Sequence, residues 1–273
     1  VKILDKDEIH KYLLSSKSYF TILAISGYKS LNYLEKIIEN TKNLGLVNKE
    51  AIVSAGHLFK KKNYFKKTNI FPLDSEHFSI FSHLSNFNKQ SNIKNIIITA
   101  SGGSYYKHRY NSLVNLKFED AIKHPKWKMG YKNSIDSATL VNKCLEIIEA
   151  HYLFDIPYNK ISIKIHPEAL VHSIIQYNNF TSNLIMFKND MSIPIINFLS
   201  NLNRENIKTN NYNNYSFKNL QFLNVKNSSF PIYKYFNSFD KENPNNLIKF
   251  NVGNEFAVNL FKNNKIKYTD IYK

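Results

Sequence analysis

Seven glycines and one cysteine are few for 273 residues, and each scarcity excludes something. The glycines stand at 27, 45, 56, 102, 103, 130 and 253, a spacing in which neither a GxGxxG turn nor a P-loop can be written. No glycine-rich turn for a dinucleotide or a nucleoside triphosphate therefore lies in these residues. The lone Cys144 cannot close an internal disulfide, which makes a reducing compartment the expectation. No stretch reaches the ~18 uninterrupted apolar residues of a membrane helix, and the opening VKILDKDEIHKY lacks the basic-then-apolar pattern of a secretory signal. No membrane partner is expected. Acidic residues are scarce too, 21 against 37 Lys and Arg, for a formal net charge of +16. A basic chain can bind nucleic acid through counterion release, but here the excess is lysine scattered among Asn, Ile, Tyr and Phe, the residues of AT-rich codons. No phosphate-binding stripe results, and nucleic acid is not expected as a partner. With 43% hydrophobic and 14% aromatic residues the chain can bury a core. Its length predicts two domains, or one with an appended piece. The first residue is Val1 and not methionine, which reads as a piece of a longer protein or an unusual start.

Along the chain, buried strands alternate with amphipathic helices. YFTILAIS (19–26) reads as a strand, LNYLEKIIENTKNL (31–44) as a helix, GLV (45–47) as a short strand and AIVSAGHLFKKK (51–62) as a second helix. NIFPL (69–73) reads as a strand that delivers Asp74, Ser75 and Glu76 at its end. A helix is predicted over 77–90, a strand over 94–100, and a sharp turn at Ser101-Gly102-Gly103. This alternation predicts a parallel α/β sheet, whose ligands gather at strand carboxyl ends. The polar, aromatic segment 104–133, interrupted by Pro125 and Gly130, is longer than a connection needs and reads as a lid. A helix capped by Asp136 or Ser137 is predicted over 134–150, with Val141, Cys144, Leu145 and Ile148 as its apolar stripe. Strands ISIKI (161–165) and SNLIMF (182–187), a helix near 192–200, an asparagine-rich linker over 201–228 and a helix over 254–261 complete the reading.

Asp74 and Glu76 stand two apart, so continued strand geometry would point both carboxylates to one side, where they can share a cation. Glu146 follows on a helix with Asn142 one turn earlier and Lys143 three residues before it. Hard divalent ions take oxygen ligands, and two or three carboxylates with open positions make a Lewis-acid site. A strand end in water and a solvated helix face would leave the same letters. Lys49, Ser101, Ser137, Asn142 and Lys143 fall at strand ends, a glycine turn or near a helix start, places suited to phosphate oxygens. Of the histidines, His124 lies in the lid, while His166 and His172 read as structural.

In their joint order these segments resemble the 1-deoxy-D-xylulose 5-phosphate reductoisomerase family. The resemblance rests on LVNKEAIVSAG (46–56), PLDSEH (72–77), ASGGS (100–104), KHPKWKMGYKNSIDSATLVNKCLEIIEA (123–150), IHPEALVHS (165–173), DMSIPI (190–195) and NVGNE (251–255). It implies an α/β protein comprising the second half of a Rossmann-like NADPH domain (1–73), a catalytic and dimerisation domain with a lid loop (74–200), the linker (201–228) and part of a C-terminal helical domain (229–273). The implied activity is metal-assisted rearrangement of the sugar phosphate, followed by NADPH-dependent reduction to 2-C-methyl-D-erythritol 4-phosphate in isoprenoid precursor synthesis. The alternative is a shortened homologue that keeps the fold without redox activity.

The resemblance further implies Asp74, Glu76 and Glu146 as ligands of Mg²⁺ or Mn²⁺, with Lys49, Glu76 and Glu146 catalytic. Lys49, Ser75, Glu76, Ser101, His124, Ser137, Asn142, Lys143 and Glu146 would contact substrate. Asn48, Glu50 and Gly130 would contact NADPH, and Trp127 with Met129 would close the lid. A homodimer in bacterial cytoplasm, as in an AT-rich endosymbiont, or alternatively in a plastid, completes the expectation. Three positions depart from the family pattern: Ser104-Tyr105 replaces a Pro-Phe pair, Cys144 stands where glycine is common, and no Trp-Pro turn follows DMSIPI.

Overall fold

A computed structural model describes residues 3–86, 92–123, 130–203 and 219–273. The first part runs α1 (Lys6–Ser15), β1 (Ser18–Leu23), α2 (Leu31–Asn40), β2 (Thr41–Leu46), α3 (Lys49–Lys61), α4 (Tyr64–Lys67), β3 (Asn69–Pro72) and α5 (Ser75–Asn86). Its strands form a parallel sheet in the order β1-β2-β3. After β4 (Ile93–Ala100) come α6 (Phe118–Ala121), α7 (Tyr131–Thr139), α8 (Val141–Phe154), β5 (Ile161–Ile165), β6 (Val171–Tyr177), β7 (Ser182–Met186), α9 (Ser192–Asn203), β8 (Leu223–Asn224), α10 (Pro231–Ser238) and α11 (Pro244–Lys262). The second sheet has the order β7-β6-β4-β5-β8, with only β4 and β5 parallel. The chain is mixed α/β, as expected, but the parallel reading holds fully only for the first sheet.

Several elements differ from the sequence reading, each for a physical reason. Residues 41–44 join β2 and not the helix before it. There the Thr41 and Thr21 hydroxyls pair at 2.8 Å, and the buried Asn43 donates to the Tyr19 carbonyl and accepts from Asn69. Tertiary pairing overrides helical periodicity at that point. The helix expected over 134–150 is two helices, broken where Leu140 turns left-handed at φ 71°. The first begins at Tyr131 with Gly130 as its cap residue, so Asp136 lies inside it and not at its end; its buried carboxylate accepts from Lys132 at 2.6 Å and Asn254 at 2.8 Å. β6, α1 and α10 were not anticipated, and α11 starts ten residues before the predicted Asn254. Of the predicted linker, 204–218 lie outside the described residues, and Leu223–Asn224 pair with β5.

One core joins the two sheets. Ile52 and Phe59 of α3 and Leu145 and Ile148 of α8 are fully buried in it. The two helices meet at Gly56, where an added Cβ would lie 2.1 to 2.7 Å from the ring of Tyr152. Only a residue without a side chain permits that approach. Since α3 begins at Lys49 and α8 carries Glu146, this contact fixes the spacing of both side chains. Replacing Gly56 by Ala should therefore displace a buried ring and cost about 1–3 kcal/mol, seen as a lowered thermal midpoint in circular dichroism. An unchanged midpoint would show that the helices are not held at this distance.

Candidate active site

Three strand ends and two helices deliver the charged residues to one place. β2 ends into α3 at Lys49, β3 into α5 at Asp74-Ser75-Glu76, and β4 into the turn at Ser101. The turn passes close to α7: Gly103 has φ 65°, and a Cβ there would lie 2.8 Å from Cα of Ala138. This keeps Ser101 beside Ser137 of α7. On α8, Asn142, Glu146 and Glu149 follow at i, i+4 and i+7 and so share one face with Lys143 beside it. All of α8 except Asn142, His151 and Leu153 is buried, so the face expected to be solvated points inward. The enclosed space is a cavity of about 340 Å³ lined by Lys49, Asp74, Ser75, Glu76, Ser101, Ser137, Asn142, Lys143 and Glu146, every one a substrate or metal position of the sequence reading. His124, Trp127 and Met129 lie outside the described residues.

Asp74 and Glu76 do face the same cavity, but by helix geometry and not strand alternation. Asp74 precedes α5 and its carboxylate accepts the backbone N–H of Glu76 at 3.3 Å, while Glu76 occupies the first turn, where the helix dipole favours an anion. The Ser75 hydroxyl donates to Glu76. Lys49 Nζ lies 2.8 Å from Asp74 Oδ2, 3.2 Å from Glu146 Oε1 and 2.8 Å from Asn142 Oδ1. Lys143 Nζ bonds Glu76 and lies 2.7 Å from Glu146 Oε2. Asn142 also donates to Glu146.

Burial alone would strip the proton from Lys49, but the carboxylates of Asp74, Glu146 and Glu149 outweigh it and hold the ammonium well above the usual lysine range. Lys143 is raised in the same way by Glu146 and Glu76. For Asp74, Lys49 and His77 outweigh burial and keep the carboxyl well below its ordinary value. Glu146 goes the other way: burial and the neighbouring Glu76 lift it to about 7 despite both lysines. Four carboxyl groups, Asp74, Glu76, Glu146 and Glu149, thus crowd around two lysines, and burial pushes Glu149 up to about 8 as well.

Ligand oxygens of Asp74, Glu76 and Glu146 all lie within 4.8 Å of one another. An all-oxygen donor set of that size fits a hard divalent cation, which would also favour the ionised form of Glu146. Other residues of the wall, none of them assigned to the site from the sequence, include Thr99, Asn133, His172, Asn189 and Met191. His172 was read as structural. Its Nε2 does donate to the Phe187 carbonyl at 3.2 Å, and its ring stacks on Phe187, yet it also borders the cavity. Its place in IHPEALVHS, one of the segments that carry the resemblance, is the available signal. His166 is structural as expected, with Nε2 accepting the N–H groups of Leu170 and Val171.

A second cavity of about 320 Å³ is lined by Asn48, Glu50 and Gly130, the three positions implied for the dinucleotide, together with Gly27, Lys132 and Glu255. Asn48 is also a cap: its Oδ1 accepts from Ala51 N at 2.7 Å and its Nδ2 donates to the Gly27 carbonyl at 3.2 Å. It thereby ties the loop after β1 to the start of α3. Val47, Lys49 and Asn133 line both cavities.

Removing the Lys49 ammonium should leave Asp74 without its lysine and Glu146 with Lys143 alone. Lys49→Met is expected to cost about 3–5 kcal/mol in chelator, read by denaturant unfolding, with part of the loss restored by excess Mg²⁺. Equal stability with and without Mg²⁺ would contradict a cation site.

Residues 70–154 match the 1-deoxy-D-xylulose 5-phosphate reductoisomerase C-terminal domain, and residues 186–273 match the DXP reductoisomerase C-terminal domain. The chain is 38% identical over 273 residues to the 1-deoxy-D-xylulose 5-phosphate reductoisomerase of Pelagibacter ubique, covering 99% of this chain and 70% of that protein. It is 40% identical over 255 residues to that of Malacoplasma penetrans, covering 92% and 65%. The chain thus spans about two thirds of the length of these relatives. Among solved structures, a DOX-P reductoisomerase in complex with NADPH, fosmidomycin and magnesium superposes with a TM-score of 0.88 at 31% identity, covering 98% of this chain and 68% of that one. The Zymomonas mobilis enzyme in complex with NADPH gives 0.85 at 31% identity, covering 97% and 68%. On this evidence the chain belongs to the 1-deoxy-D-xylulose 5-phosphate reductoisomerase family.

Proposed function

We propose that this chain is the metal- and substrate-holding part of a 1-deoxy-D-xylulose 5-phosphate reductoisomerase, an NADPH-dependent enzyme that rearranges and reduces its sugar phosphate to 2-C-methyl-D-erythritol 4-phosphate. The observation that carries the reading is the convergence of Asp74, Glu76 and Glu146 beside a cavity of sugar-phosphate size. Asp74, Glu76 and Glu146 would hold Mg²⁺ or Mn²⁺, which when bound supplies a Lewis acid to adjacent substrate oxygens. Asn48, Glu50 and Gly130 would hold NADPH, which when bound supplies the hydride.

The chain's own groups do the rest. Ser101, Ser137, Asn142 and Lys143 line the same cavity, and their hydroxyl, amide and ammonium groups are the kinds of donor that a phosphate takes. Lys49 stands at the boundary of the two cavities with its charge held on, positioned to stabilise an oxyanion forming there. Ser75 fixes the Glu76 carboxylate. His124, Trp127 and Met129 would close over the ligand. Residues 1–73 would be the remainder of the dinucleotide domain, 74–200 the catalytic and dimerisation domain, 201–228 the linker and 229–273 part of the helical domain. A homodimer in bacterial cytoplasm is part of the same proposal, and among the described residues no helix is long and apolar enough to cross a membrane. A shortened homologue without activity is not favoured, since the acid triad and its lysines are all present.

The complete reading frame, expressed and supplied with Mn²⁺, NADPH and 1-deoxy-D-xylulose 5-phosphate, should consume NADPH only when substrate is present. Glu146→Gln should lower kcat by roughly 10²–10³. Ser137→Ala should mainly raise KM for the phosphorylated substrate, the pattern of lost uniform binding. NADPH consumption that ignores the divalent ion and survives Glu146→Gln would overturn the assignment.

A further inference from the structure

Two buried ionisable groups stand behind the acid triad and line neither cavity. His77 is fully buried and Glu149 is 3% exposed. Each ligand-bearing helix contributes one of them at the same step: His77 follows Asp74 by three residues at the start of α5, and Glu149 follows Glu146 by three on α8. The imidazole spans the gap between the helices. Its Nε2 lies 2.9 Å from the backbone carbonyl of Glu146, which can only accept, so Nε2 carries a proton and donates. That assignment turns Nδ1 toward the carboxylates, 3.5 Å from Glu149 Oε2 and 3.8 Å from Asp74 Oδ1. The ring packs on Phe154, which limits its rotation. His77 Nδ1 and Glu149 Oε2 are buried without a hydrogen-bond partner closer than this contact. Buried polar atoms are rarely left so without a role.

We infer that His77 and Glu149 are a positioning pair, which sets where the Asp74 carboxylate and the Glu146 backbone stand so that the triad receives a divalent cation. The inference rests on the reading of Asp74, Glu76 and Glu146 as the metal ligands. Lys49 takes Asp74 Oδ2 from one side while His77 faces Oδ1 from the other, so both oxygens are held in orientation. Glu149 is the third group that aims the ring, as carboxylates do behind histidines at metal sites. Without it, the imidazole keeps its bond to the Glu146 carbonyl but loses the group that draws Nδ1 into the cluster.

The test is Mn²⁺ binding to the full-length protein without substrate or cofactor, followed by the electron paramagnetic resonance signal of free Mn²⁺. Glu149→Gln and His77→Gln should each weaken Mn²⁺ binding about 10–100-fold, while circular dichroism shows the fold retained. The glutamine amide at 77 can still donate to the Glu146 carbonyl, so fold and positioning separate. If the two residues act as one unit, the double variant should bind no more weakly than the weaker single variant. Glu149→Asp, which keeps the charge, should recover part of the affinity. Wild-type Mn²⁺ affinity in a folded Glu149→Gln protein, or losses that simply add in the double variant, would overturn the pairing. Should His77→Gln fail to fold, Glu149→Gln against Glu149→Asp still decides. A wild-type protein that binds no Mn²⁺ would instead sink the metal reading itself.

Discussion

Everything in the site depends on two buried lysines facing a surplus of buried carboxylates. Taking such charges out of water is unfavourable, and attraction between partners repays it only when the geometry is close. Lys49 and Lys143 make four contacts of 3.2 Å or less to Asp74, Glu76 and Glu146, and that closeness is set by backbone and not by flexible side chains. The Gly56 approach holds α3 to α8, the Gly103 approach holds the β4 turn to α7, and the start of α5 holds Asp74 and Glu76 side by side. A protein with few glycines has placed two of them where these elements meet.

The same cluster explains why its carboxylates differ. Asp74 is held ionised by Lys49 and His77, whereas Glu146, deeper and next to Glu76, is lifted to about 7. The cluster is therefore anionic at its mouth and strained toward protonation at its base. A divalent cation relieves that strain where a third lysine would fill the space that a ligand needs. The surplus of acids over lysines is thus intelligible as carboxyls held so close that Glu146 and Glu149 resist ionisation, in a chain that as a whole carries +16.

Much of this was legible in the sequence, and the gaps have causes. The repeated strand-then-helix rhythm from Tyr19 to Asn86 is carried by local periodicity, and the first sheet follows it. Antiparallel β6, in contrast, is VHSIIQY, whose first five residues are all buried; with no alternation to read, it passed as part of a motif. The break at Leu140 has no glycine or proline to announce it, so one helix was read where two stand. The acid triad was visible as residue types, but its burial was not, because α8 is enclosed on all sides and a polar stripe on such a helix looks like a wet face. Glu149 was missed for that reason: three residues past Glu146, it has the letters of an ordinary solvated position. Asp5 and Glu8, by contrast, spelled out the capping box of α1 and could have predicted that helix.

The two cavities are not independent spaces. Val47, Lys49 and Asn133 border both, and of these only Lys49 carries a charge. Its position follows from being the first residue of α3, one step beyond the Asn48 cap that ties the loop after β1 to that helix. A displacement of the Asn48 cap by an occupant of the second cavity would therefore reach the Lys49 ammonium within one residue, and through it Asp74, Asn142 and Glu146. The residue that balances the acids is in this way also the one through which the two spaces can sense each other. On the proposed reading, in which a sugar phosphate and a dinucleotide would occupy the two cavities, the strand-to-helix junction after β2 would place one charged group between them.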